Sequence, residues 1–249
     1  MNIIEIKNLS HRFANGEIGI DDINLTIREG EFVVFAGMNG SGKTTLFRHL
    51  NGLLTPSGGS VILDGISVAD DPKRARRMVG MVFQNADSQI VGETVYDDVA
   101  FGPENLGLEQ AMIAQRVSEA LHAVGLNAHA DKRPHLLSGG EKRRLAIAGI
   151  LAMGSRVLVF DEPFSNLDYP GICQVLKQIV SLHHAGHTIL IATHDLEKVI
   201  FHAQRLIFMK DGNIIQDGAP DDNLKEAERF GVRTPCATHF GKEPISWLT

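Results

Sequence analysis

The stretch Gly37-Met38-Asn39-Gly40-Ser41-Gly42-Lys43-Thr44-Thr45 constrains this chain more than any other. The apolar run Phe32-Val33-Val34-Phe35-Ala36 precedes it with the pattern of a buried strand, and Thr45 to Leu50 follows with the composition of a helix start. Strand, glycine-rich turn and helix in that order form a phosphate-binding P-loop. The inward-pointing amides from Asn39 to Thr45 and the positive end of the helix hold a polyphosphate with little side-chain help. Lys43 then reaches the β- and γ-phosphates, and the Thr44 hydroxyl can ligate Mg²⁺. A nucleotide triphosphate such as ATP is the ligand this stretch implies.

Charge, hydropathy and cysteine usage narrow the setting. A formal net charge of -6 argues against a nucleic-acid partner, whose affinity comes from basic residues. No apolar run approaches the ~20 residues needed to span a bilayer, and Met1 to Lys7 lacks a signal-peptide layout. Cys173 and Cys236 form no metal or redox motif. The expectation is a cytosolic protein, free to dock on a membrane protein.

Along the chain, Ile3 to Leu9 alternates as a half-buried strand does, and a second alternating run covers Ile18 to Ile27. Ser60 to Leu63 reads as another short strand, closed by an Asp64-Gly65 turn. Val79 to Phe83, Val157 to Phe160 and Thr188 to Thr193 read as buried strands, each ending in polar residues. Thr94 to Val124 is helical, with breaks expected at Gly102-Pro103 and Gly107. Further helices are expected from Leu137 through Leu151, from Pro170 to Gly186, and briefly after His194-Asp195. Two closing strands, Leu206 to Met209 and Asn213 to Gln216, flank Asp211-Gly212. The order predicts an α/β fold: antiparallel strands first, then a parallel-sheet core with a helical insertion over about 85–153. The ATPase domain would occupy 1–230 and a short tail 231–249.

Parallel strands deliver polar residues at their carboxyl ends, where ligands bind. Asp161 at one such end can hold Mg²⁺, directly or through water. Glu162 beside it can orient and deprotonate an attacking water, and His194 can donate to the γ-phosphate. Gln84, ending a third strand, can complete the metal's ligands or the water's contacts. Positioning and charge neutralisation carry most of phosphoryl transfer, so this set suffices.

Ser138 to Glu141 has the Ser-x-x-Glu form of a helix capping box. The intervening Gly139-Gly140 is more than a cap needs. It bares amides at a helix N-terminus and forms a second anion site, which suggests service to a neighbouring molecule.

In order and spacing, the P-loop, Gln84, Leu137 to Glu141, Val157 to Glu162, Ser165 to Asp168 and His194 resemble the motifs of ABC-transporter ATPase subunits. The resemblance covers Ile3 to about Asp217. It implies a P-loop NTPase fold with a RecA-like, mostly parallel core, and a head-to-tail dimer clasping two ATP molecules. Ser138 and Gly140 would touch the γ-phosphate of the opposite site, Asp168 would lie at the dimer seam, and Phe13 would stack on adenine. Within that family, Val82 to Asn85, Gln89 to Val91 and Asp97 to Leu108 look like the energy-coupling-factor importers of vitamins, cobalt or nickel. That group pairs its ATPase with a transmembrane coupling protein and a small membrane substrate-binding protein, on the cytoplasmic face of the membrane. Gln89 to Asp98 would border the groove for the coupling helices. A homodimer is expected before a heterodimer. The rival readings are a soluble ABC ATPase of the DNA-repair or translation-factor type and a small P-loop kinase.

Two further features are read as structural. His183 and His187, four residues apart, match metal-ligand spacing on a helix, yet a surface role is the expectation among 11 histidines. Lys73 to Arg77 reads as a solvated helix face.

Overall fold

A computed structural model describes residues 1–248, with residue 239 described by its backbone alone. The strands are β1 (Asn2–Arg12), β2 (Ile18–Arg28), β3 (Phe32–Ala36), β4 (Gly58–Leu63), β5 (Ile66–Ser67), β6 (Val79–Val82), β7 (Val157–Asp161), β8 (Thr188–Thr193), β9 (Arg205–Lys210) and β10 (Asn213–Gly218). The longer helices are α1 (Lys43–Leu50), α2 (Pro72–Met78), α3 (Val95–Asn105), α4 (Gln110–Ala123), α5 (Gly139–Ala152) and α6 (Tyr169–His184).

Two sheets result. One has the order β2-β1-β4-β5 and is antiparallel. The other has the order β10-β9-β3-β8-β7-β6; β9, β3, β8, β7 and β6 run parallel, and β10 closes the edge antiparallel to β9.

The apolar run Phe32–Ala36 has no polar alternation because both its faces are covered. Phe32, Val34 and Ala36 join one core with Leu158, Phe160, Ile189 and the helices α5 and α6. Val33 and Phe35 join a second core with Val157, Val159 and Leu190, against α1 and the antiparallel sheet. The P-loop strand is thus clamped between two layers, and its carboxyl end is a rigid place to build on.

The insertion between β6 and β7 carries α3, α4 and α5. Contrary to the sequence expectation, α3 continues through Gly102-Pro103 to Asn105. Pro103 gives up one amide in the last turn only. Packing outweighs that loss: Val95, Val99, Ala100 and Pro103 are buried, and Gly102 lies so near Met153 that a Cβ would come within 2.6 Å of its Cγ. The chain does break at Gly107, where φ is +69°.

The helix expected after His194-Asp195 is also absent. The segment instead makes turns and one 3₁₀ turn at Ile200–His202, with the Asp195 carboxylate accepting from Glu197 N–H at 3.1 Å. Tyr169 rather than Pro170 begins α6, capped by Asp168, which accepts from Gly171 N–H.

His187 falls beyond the end of α6. His183 Nε2 meets the Gly30 carbonyl at 2.9 Å and His187 Nδ1 meets that of Ser155 at 3.1 Å, so the two histidines brace separate loops. The tail packs back on the parallel-sheet layer. Trp247 lies against Tyr169 with ring centroids 5.6 Å apart, and Cys236 N–H donates to Glu197 at 2.7 Å.

Candidate functional site

The carboxyl ends of β3, β6 and β7 open into one cleft of about 620 Å³. Every position from Asn39 to Thr45 lines it, joined by Phe13, Gln84, Asp161 and Glu162. Residues far apart in sequence are therefore assembled by strand order in the parallel sheet, with Phe13 added from the loop after β1 of the other sheet.

The turn itself is built for close backbone approach. Gly42 has φ +101°, and a Cβ there would sit 2.8 Å from the Gly19 carbonyl and 2.9 Å from Ile20 Cγ2. Gly40, at φ +82°, faces open space within the cleft. Gly42 N-caps α1, and the first turn of that helix leaves its amides without intrahelical carbonyls, aimed at the cleft. That is an anion cradle.

Lys43 is buried, and Nζ donates to the carbonyls of Gly37 (2.7 Å) and Met38 (2.9 Å) and to Ser41 Oγ (3.2 Å). Burial pushes its pKa down, against the pull of Glu162 and Asp161. Thr44 Oγ1 donates to Asp161 Oδ2 at 2.6 Å. Burial raises the Asp161 pKa, and the Thr44 hydrogen bond opposes that rise. Two hard oxygen ligands thus meet at the cleft floor. Among the described residues no group of three or more His, Cys, Asp or Glu is placed to hold a metal. That donor set fits Mg²⁺, which takes one or two protein oxygens and completes its shell with phosphates and water.

Glu162 adopts φ +48°, a conformation that a non-glycine residue holds only under constraint. The constraint is visible. Its amide donates to Ala192 O of β8 at 2.9 Å, and its own carbonyl accepts from Ser165 N–H and Oγ. Its carboxylate accepts from His194 N–H at 2.9 Å and Thr193 Oγ1 at 3.2 Å, and meets His194 Nδ1 at 2.7 Å. His194 is exposed and reaches the cleft through Glu162.

Gln84 is exposed at the cleft edge. Its backbone is held by a residue the sequence reading passed over. Arg143 of α5, only 3% exposed, donates to the carbonyls of Phe83 and Gln84. Gln89, expected to border a docking groove, braces the same turn by donating to Met81 O (2.9 Å) and accepting from Phe83 N–H (3.2 Å). Thr193, which grips Glu162, was also missed. The available signal was position: Thr193 precedes His194 at a strand end, and Arg143 sits in the helix that Ser138 opens.

Ser138, Gly139 and Gly140 lie outside this cleft. The capping box forms in full: Glu141 N–H donates to Ser138 Oγ, and Ser138 N–H to Glu141 Oε2 at 2.7 Å. Cβ atoms at Gly139 and Gly140 would meet Leu167 and Gly171 at 3.4 Å, an ordinary van der Waals contact. The N-termini of α5 and α6 are consequently pressed together, with exposed Ser138 and Gly139 facing outward.

Residues 20–165 match the family model described as ABC transporter. The chain is 43% identical over 260 residues to the energy-coupling factor transporter ATP-binding protein EcfA of Methanocaldococcus jannaschii, a match covering 99% of this chain and 93% of that one. Its fold is similar to that of cbiO1 from Clostridium perfringens, described as part of the ABC transporter complex cbiONQ. There the TM-score is 0.83 at 35% identity, covering 96% of this chain and 98% of the other. It is also similar to the dimeric post-hydrolysis state of the ATP-binding cassette MJ0796 bound to ADP and Pi. That comparison gives a TM-score of 0.77 at 28% identity, covering 87% and 98%.

Proposed function

We propose, from the premise that this chain belongs to the ABC transporter family, that it is the ATP-hydrolysing subunit of an energy-coupling-factor-type importer. It acts as a dimer, as in the dimeric structure of its relative MJ0796, and docks on membrane partners; its relative cbiO1 is described as part of the ABC transporter complex cbiONQ. No described helix is long and apolar enough to cross a membrane, which suits a peripheral position at the cytoplasmic face. The cargo is a transition-metal ion or a vitamin. We read 1–230 as the ATPase domain, with its helical insertion at about 85–153, and 231–249 as a short tail.

The observation that carries this reading is the convergence of Lys43, Thr44, Asp161 and Glu162 at one cleft floor. The amides from Gly40 to Thr45 would hold the phosphates, with Lys43 facing the β- and γ-oxygens. Thr44 and Asp161 would hold Mg²⁺, with Gln84 lining the same cleft, and a bound ion would supply neutralisation of charge on the phosphates. Glu162, its carboxylate fixed by Thr193 and His194, would orient and deprotonate the attacking water. Phe13 would stack on the adenine. Ser138, Gly139 and Gly140 would serve the phosphates of the partner's site, which explains their position outside the cleft. Within the insertion, a second cleft of about 530 Å³ lined by Asp87, Ile90, Gly92, Glu93, Arg133 and His135 is where helices of the coupling protein would seat.

Purification of the chain from native membranes tests this assignment. A transmembrane coupling protein and a small membrane substrate-binding protein are expected to co-purify, and ATP is expected to drive dimerisation. A purely soluble chain with full ATPase activity and no such companions would instead favour a soluble ABC ATPase.

A further inference from the structure

Phe13, which the proposed function places under the adenine ring, is not held by its own strand alone. It follows β1 directly and is 39% exposed at the edge of the nucleotide cleft. On one side its ring rests over Gly19, so closely that a Cβ there would lie 2.7 Å from Phe13 Cε2. His11, two residues earlier on β1, also packs against it. The two rings meet edge to face, with centroids 4.8 Å apart at 80°.

His11 is in turn fixed by a second imidazole. His49 of α1 is only 1% exposed, its Nε2 lies 3.2 Å from His11 Nδ1, and the ring centroids are 4.8 Å apart at 68°. The proton positions follow from the partners. His49 Nδ1 faces the Thr45 carbonyl at 2.7 Å and His11 Nδ1 faces the Thr55 carbonyl at 3.2 Å. A carbonyl only accepts, so both rings carry their proton on Nδ1. His49 Nε2 is then left as an acceptor, and His11 Nδ1–H is shared between it and Thr55 O. Burial lowers the His49 pKa, which favours the neutral ring this arrangement needs.

We infer that His11 and His49 form a neutral dyad that positions Phe13 against the nucleotide base, referencing it to Thr45 of the P-loop. Neither histidine is a catalytic residue. The dyad works through Phe13, and the inference rests on the reading of Phe13 as the base platform. One chain of contacts then joins the base end of the cleft to its phosphate end: Phe13, His11, His49, Thr45 O.

The test measures equilibrium binding of ATP and of tripolyphosphate, which has the phosphates but no base, to the full chain. His11→Ala is expected to weaken ATP binding by about three- to tenfold, the size of one aromatic pair interaction. Tripolyphosphate binding should not change. His11→Phe, which keeps an aromatic edge against Phe13, should restore ATP binding. Adding His49→Leu to His11→Ala should bring little further loss, because the two histidines act as a unit. Equal weakening of ATP and tripolyphosphate would show that the histidines act on the P-loop, and unchanged ATP binding would show no role; either overturns the dyad. Phe13→Ala separates the two levels. If it binds ATP normally, the platform reading fails; if it weakens ATP while His11→Ala does not, only the dyad fails.

Discussion

The carboxylate of Glu162 accepts from His194 N–H at 2.9 Å and lies 2.7 Å from the same residue's ring Nδ1. A carboxylate is acceptor-only, so Nδ1 carries the ring proton. A neutral imidazole then has only a lone pair at Nε2. To donate to a γ-phosphate the ring must therefore gain a second proton or let go of Glu162. Proton supply to His194 and orientation of Glu162 are one coupled variable.

Glu162→Gln is expected to cut turnover by about two to four orders of magnitude, a general base's share, with ATP affinity intact. The amide would retain an oxygen for the His194 backbone N–H but could not take a proton from water. Single-turnover hydrolysis alongside nucleotide binding checks this. Normal turnover removes Glu162 from the role.

Arg143→Met removes a buried guanidinium that donates to the carbonyls of Phe83 and Gln84 and feels the charge of Asp161. Burial already pushes its pKa down. The variant takes this side-chain donor away from the carbonyls of Phe83 and Gln84, at a cost of roughly 1–3 kcal/mol for a carbonyl left buried and unsatisfied. The expected result is a lower unfolding midpoint together with a lower kcat, because Gln84 is no longer placed. Stability loss with kcat unchanged would confine Arg143 to packing.

Gly42→Ala should be disruptive out of proportion to one methyl group. It forces φ +101° on an L-residue and pushes Cβ into the Gly19 carbonyl, 2.8 Å away. Strain of roughly 1–3 kcal/mol is expected, and nucleotide binding should drop with it. Thermal unfolding and ATP titration measure both.

Glu141 sets a pH dependence whose sign is fixed by its cap. Hydrogen bonds from Ser138, backbone first and side chain second, hold its pKa below the ordinary glutamate value. A depressed carboxyl contributes stability that is fully present above the unfolded-state pKa and is lost as pH falls through the folded one. The group is half-buried at the surface, and solvent screening limits the contribution to about 0.5 kcal/mol. Glu141→Gln should keep the capping geometry and flatten this acid limb in urea unfolding measured across pH. An unchanged limb would assign it elsewhere.

Ser138→Arg should prevent ATP-driven dimerisation while the monomer still binds nucleotide, because Ser138 is exposed and outside its own chain's cleft. Sedimentation with and without ATP distinguishes the outcomes. A variant that dimerises normally counts against the shared site.

Local chemistry carries far in this chain. Uninterrupted apolar runs such as Phe32 to Ala36 mark strands covered on both faces, and glycine spacing marks the P-loop. Ser138 and Glu141 announce a capping box that forms as expected. Each of these is a property of neighbouring residues, so a linear reading reaches it. The same reading misplaced the end of α3, because the cost of Pro103 is local and visible while the packing that outweighs it is not.

What only the tertiary structure decided is which distant residues meet. Strand order brings Thr44 to Asp161 across 117 positions, and the insertion folds back to place Arg143 under Gln84. Thr193 and His194 find Glu162 only because β7 and β8 are neighbours. The His11–His49 pair likewise depends on β1 lying over α1. Periodicity and turn chemistry are written within a few residues. Side-chain partners are chosen by the packing of whole layers, whose free energy is spread over both cores.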